Sequence, residues 1–75
     1  MEIRVKLMGG LKKKTPPGGT LELKDGSSIQ KALDLLELGG RRVNAVSING
    51  EIERDFTRVL KAEDELLVLP PVGGG

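Results

Sequence analysis

The chain predicts an α+β fold, a mixed sheet of four to five strands packed on one main helix, and three stretches carry that reading. Glu2-Ile3-Arg4-Val5-Lys6-Leu7 alternates polar and aliphatic residues, the mark of a strand with one buried face. Ile29, Ala32, Leu33 and Leu36 recur at the spacing that gathers side chains on one helical stripe, which Leu35 and Leu38 widen. Leu66-Leu67-Val68-Leu69, after Glu65, is aliphatic at both strand parities, as expected of a central strand with the helix on one face.

The remaining elements follow in order. After a Gly/Pro-rich connection, Thr20-Leu21-Glu22-Leu23-Lys24 alternates again and reads as the antiparallel partner of the first strand. Ser27 or Asp25 can cap the helix, which is expected over about residues 28 to 38, with Gly39-Gly40 as its left-handed stop. Val43 to Ile48, Asn49-Gly50 and Glu51-Ile52 read as a hairpin, because both positions of a tight two-residue turn need positive φ. Arg54 to Asp64 has no period; Phe56, Val59 and Leu60 are expected to cover one edge of the core. If the last strand lies beside the first, the crossover makes that pair parallel and central. The order ββαβββ so paired is a β-grasp arrangement, one domain over residues 1–70 with a tail over 71–75.

Composition excludes several functions. At 75 residues the chain makes one domain at most, with a small core. Cysteine is absent, so neither a disulfide framework nor a thiolate metal site is expected, and a reducing compartment, the cytoplasm, suits it. The opening lacks an apolar signal segment, and no later run is long enough to cross a bilayer. A net charge of +1 offers no broad field for nucleic acid or an anionic membrane. Lys12-Lys13-Lys14 lies far from Phe56, the sole aromatic residue, and is expected to be a solvated loop. Histidine is absent as well, so Ser27, Ser28 and Ser47 have no usual activating base. Neither an independent active site nor a bound cofactor is expected.

The last strand and the tail attract attention instead. Strand parity separates Leu66 and Val68 from Leu67 and Leu69; one pair packs under the helix and the other, expected to be Leu67 and Leu69, stays partly exposed. With Pro70, Pro71 and Val72 that pair would form an apolar surface for a partner protein, unless the loop over 53–64 folds across it. Proline ends the sheet and sends the chain outward. From Pro71 to Gly75 a fully extended chain spans about 17 Å, and Gly73, Gly74 and Gly75 could thread a channel too narrow for side chains.

Val46-Ser47-Ile48-Asn49-Gly50-Glu51, Val59-Leu60-Lys61 and Asp64 to Gly75, through Leu69-Pro70-Pro71-Val72-Gly73-Gly74-Gly75, together resemble the ubiquitin-like sulfur carriers of the MoaD/ThiS family. That resemblance implies that the Gly75 carboxylate is adenylated by an E1-like activating enzyme, which uses the ATP, and is then converted to a thiocarboxylate. It further implies a sulfur-acceptor partner such as the large subunit of molybdopterin synthase, and a carrier that is itself no enzyme. A ubiquitin-like modifier joined to lysines through Gly75, or a plain interaction module, are the alternatives. The family's usual Lys-Asp-Gly-Asp-Glu turn is Lys61-Ala62-Glu63-Asp64-Glu65 here, so the turn is expected to avoid positive φ.

Overall fold

A computed structural model describes residues 1–38 and 43–70. Strands β1 (Glu2–Leu7), β2 (Thr20–Glu22), β3 (Ala45–Ile48), β4 (Glu51–Glu53) and β5 (Glu65–Leu69) form one sheet in the order β2-β1-β5-β3-β4. β1 and β5 run parallel at its centre, Val5 beside Leu66 and Leu7 beside Val68, while the other pairs are antiparallel. Helix α1 (Ile29–Leu35) lies on one face. This is the ubiquitin-like β-grasp, with the strand count at the upper end of the expectation.

Alternation in β1 does what its period demands. Ile3, Val5 and Leu7 are buried and meet Leu66 and Val68 of β5, Val46 and Ile48 of β3, and Ile29, Ala32 and Leu33 of α1 in a single core. Burying each large aliphatic side chain contributes about 1.5–3 kcal/mol, so these central-strand and helix residues dominate the stability of so small a domain. The sequence reading missed one core residue. Leu11, 5% exposed, is carried into the core by a short 3₁₀ segment over Gly9–Lys14 inside the supposed loop.

The helix differs from expectation at both ends. Its N-cap is Ser28, whose hydroxyl accepts from the Lys31 amide at 3.2 Å; the Ser27 hydroxyl instead donates to the Lys24 carbonyl at 2.7 Å. At the other end Glu37 takes φ 62°, its amide donating to the Asp34 carbonyl and that of Leu38 to the Leu33 carbonyl, each at 3.0 Å. This is the paired closure of a left-handed cap, in which Leu38 folds back beside Leu33 instead of continuing the stripe. Termination therefore precedes Gly39-Gly40, which lie outside the described residues. Leu35 stands off the buried stripe and is exposed.

The aperiodic segment after β4 docks on the first turn of α1. The amides of Ile29 and Gln30 donate to the carbonyls of Arg58 and Phe56, and the Leu60 amide donates to the Ser27 carbonyl. Leu60 is buried and Phe56 packs against the core, but Val59 is 53% exposed and covers nothing. Because α1 occupies the helix side of the sheet, a loop held to it is not what lies over the opposite face.

Two turns meet at the start of β5. Asn49 and Gly50, at φ 52° and 92°, make the expected hairpin turn. The Asn49 side-chain amide nitrogen donates to Asp64 Oδ1 and its oxygen accepts from the Glu65 amide, both at 2.9 Å, while Asp64 Oδ2 accepts from the Lys61 amide at 2.8 Å. These bonds tie the β3–β4 hairpin to the turn that launches the central strand. Glu63 in that turn has φ 68°, so the turn keeps a left-handed residue although it contains no glycine, contrary to expectation.

Glu63→Gly should raise stability by about 1 kcal/mol, a gain of about 4–8 °C in thermal midpoint for a domain of this size; an unchanged or lower midpoint would show that the turn is unstrained. Asn49→Gly keeps the turn geometry and removes both side-chain bonds, so urea unfolding should register a loss of about 1 kcal/mol.

Candidate functional site

Strand register assembles the outer face of the sheet. Leu67 has Lys6 of β1 on one side and Ser47 of β3 on the other, and Ser47 has Ile52 of β4 as its next neighbour; Leu69 stands beside Ala45. Leu66 and Val68 are fully buried under the helix, whereas Leu67 and Leu69 are half-buried, so the central strand has the expected parity. Ala45 and Ser47 are only 1% and 6% exposed although they face away from the helix. Their side chains are short, and the larger Leu67, Leu69 and Ile52 around them shut out water. The result is a shallow apolar strip, low along β3 and raised along its flanks.

Ile52, 56% exposed, belongs to this surface and was missed as a site residue. The signal was present: a two-residue Asn-Gly turn fixes the register of the hairpin, and that register sets Ile52 opposite Ser47.

At its far end β5 is held from both sides. The Met8 amide donates to the Val68 carbonyl at 3.2 Å, and the Asn44 amide donates to the Leu69 carbonyl at 2.9 Å. Pro70 then packs over Gly9. A Cβ built on Gly9 would come within 3.1 Å of Pro70 Cγ, and Gly9 has φ 57°, so glycine suits this position better than a residue with a side chain. The chain thus leaves the sheet from a seated root. Pro71, Val72, Gly73, Gly74 and Gly75 lie outside the described residues.

The polar groups of the body serve the fold. Ser27 and Ser28 are engaged at the start of α1, and Ser47 is packed within the apolar strip. The Asp55 carboxyl is held below its ordinary value, first by the hydrogen bond from the Thr57 hydroxyl and then by that from the Thr57 amide, the pattern of a local turn. Among the described residues no group of histidine, cysteine, aspartate or glutamate could hold a metal ion. Nor is any described helix long and apolar enough to cross a membrane. What this geometry can do is bind a complementary apolar surface and present whatever follows Pro70.

Known proteins bear on that arrangement. No curated protein sequence matches the chain. Among solved structures it is similar to SAMP1 from Haloferax volcanii, at 24% identity and a TM-score of 0.73 over 100% of both chains. It is also similar to a Pyrococcus furiosus chain assigned as molybdopterin converting factor subunit 1, at 17% identity and a TM-score of 0.76 over 96% of this chain and 99% of that one. A protein-protein complex of subunits 1 and 2 of the molybdopterin-converting factor from Helicobacter pylori 26695 contains a further match, at 21% identity and a TM-score of 0.63 over 100% of both chains. At these identities the likeness establishes the fold. Family membership rests on sequence: the ThiS family model matches residues 5–75, from the central strand to the final glycine, and the chain belongs to the ThiS family.

Proposed function

We propose that this chain is a cytoplasmic sulfur carrier whose working group is the Gly75 carboxylate. A carboxylate oxygen attacks the α-phosphorus of ATP on an E1-like enzyme, pyrophosphate leaves, and the acyl carbon is joined to AMP. A sulfur nucleophile delivered by the partner system then displaces AMP, and the chain ends in a thiocarboxylate ready for a sulfur acceptor. Chemistry and nucleotide belong to the partners. The carrier supplies a docking face, Leu67, Leu69 and Pro70 with Ile52, and an arm of Pro71, Val72 and Gly73-Gly74-Gly75.

The observation that best supports this reading is the seated root: β5 is hydrogen-bonded on both sides up to Leu69, and Pro70 closes on Gly9 beside the apolar strip. A docking surface and a departure point on one strand allow a partner that binds the first to receive what extends from the second. Family membership supports a carrier, and the two-subunit Helicobacter complex supports an acceptor of the molybdopterin synthase large-subunit type. The similarity to a protein described as a small archaeal modifier from Haloferax volcanii supports a second reading, in which activated Gly75 is joined to lysine side chains.

Intact-mass analysis of the protein from its own cell should show a fraction heavier by the difference between sulfur and oxygen, lost when Gly75 is deleted; Gly-Gly remnants on lysines of other proteins would favour the modifier. Deleting Gly75 should leave the thermal midpoint unchanged and abolish ATP consumption with the E1-like enzyme, and continued consumption would sink the assignment. Leu67→Asp should weaken that enzyme's binding about tenfold or more while costing under about 1 kcal/mol of stability, since the side chain is half-buried. A collapse of stability with binding intact would show the outer face to be structural.

A further inference from the structure

A net charge of +1 conceals a separation of charge along the strand direction. Glu2, Glu22 and Glu65 lie where β1 begins, and the Glu63 amide reaches the Glu2 carbonyl, so Glu63 and Asp64 join that end. Lys12, Lys13 and Lys14 lie at the opposite end, three to five residues after the Gly9 that meets Pro70, and all three are exposed. Lys6 stands beside Leu67 in the same half of the sheet. Lys14 Nζ comes within 3.8 Å of a Glu37 carboxylate oxygen; no ion pair engages Lys12 or Lys13 among the described residues.

The placement of these lysines is fixed. Leu11, 5% exposed, pins the 3₁₀ segment to the core, and at about 2 Å of rise per residue Lys12 and Lys13 follow Gly9 by roughly 6–8 Å. A cation in the last turn of a short helix complements its carbonyl end, but one suffices for that. Three adjacent lysines repel one another, and the fold sets them beside the departure point of the tail.

We infer that Lys12 and Lys13 form a cationic collar around the tail root that docks on an acidic rim of the protein surface receiving the tail. The inference rests on the proposed function. Nucleic acid fits the site less well: Phe56, the sole aromatic residue, packs against the core from the loop after β4, so no aromatic platform for base stacking stands beside the lysines. The nucleotide phosphates fit less well too, because an arm fully extended from Pro71 would carry the reacting group about 17 Å beyond the root. A cationic collar and an acidic rim would raise the rate of productive encounter and set the rotation in which the tail enters.

The test uses the full chain and the E1-like enzyme of its own cell, with equilibrium binding measured at ~50 and ~300 mM NaCl, between which exposed charges become strongly screened. Wild-type affinity should fall about tenfold across that range, K12E/K13E should bind about tenfold more weakly at low salt with a flattened salt dependence, and K12R/K13R should behave as wild type. Lys24→Glu, at the other end, should change little. Zero-length carbodiimide coupling of the wild-type complex should join Lys12 or Lys13 to carboxylates at the mouth of the tail channel. Wild-type affinity and salt slope in folded K12E/K13E would overturn the collar while leaving the carrier reading intact; equal loss in Lys24→Glu would reduce it to net charge. Lysine-dependent binding of a single-stranded oligonucleotide in place of the enzyme would reassign the patch. No binding of the wild-type chain at either salt would sink both readings.

Discussion

The parallel pairing of β1 with β5 is the constraint on which the rest of the molecule depends. It joins the first element to the last, so the intervening chain must cross from one edge of the pair and return, and the helix of that crossover covers one face of the sheet. Once one face is covered in a chain of 75 residues, little remains to cover the other. Leu67 and Leu69 are therefore left half-buried beside Ile52 for a topological reason. The same pairing places the end of β5 next to the end of β1, where Met8 bonds Val68 and Gly9 receives Pro70. Docking face and tail root are two consequences of one strand pairing.

Local preference is overridden where that pairing must be reached. Glu37 and Glu63 both take left-handed conformations that suit glycine, one to end the helix and one to aim β5. The close approach of Cβ to the following carbonyl oxygen makes that region costly for any L residue with a side chain, and the compensation differs between the two. At Glu37 it is the double hydrogen-bonded closure and the burial of Leu38; at Glu63 it is the network in which Asn49 and Asp64 lock neighbouring backbone amides. A three-bond side-chain network thus lies at the start of the central strand, at the opposite end from Pro70.

A division of labour follows from this geometry. In the proposed function the folded body contributes recognition through a strip whose low centre, Ala45 and Ser47, is flanked by bulkier aliphatic groups. In the proposed function reactivity lies with the partners, since an enclosed carboxylate or nucleophile needs more apolar walling than one helix and five short strands present.

Much of this was legible in the sequence because it depends on period and on backbone chemistry. Alternation in Glu2 to Leu7, the helical stripe from Ile29, the Asn49-Gly50 turn and the prolines after Leu69 each name an element without knowledge of its neighbours. What only the tertiary structure decided depends on residues distant in the chain. Leu11 is core because a 3₁₀ turn lies over the end of β1, and Val59 is solvent-exposed because the loop docks through its carbonyls on α1. Glu37 and Glu63 adopt backbone angles that their identity disfavours, since bonds formed elsewhere outweigh a local cost of about 1–2 kcal/mol. Ile52 joins Leu67 and Leu69, and Gly9 meets Pro70, because register and chain reversal set side by side what the sequence holds far apart.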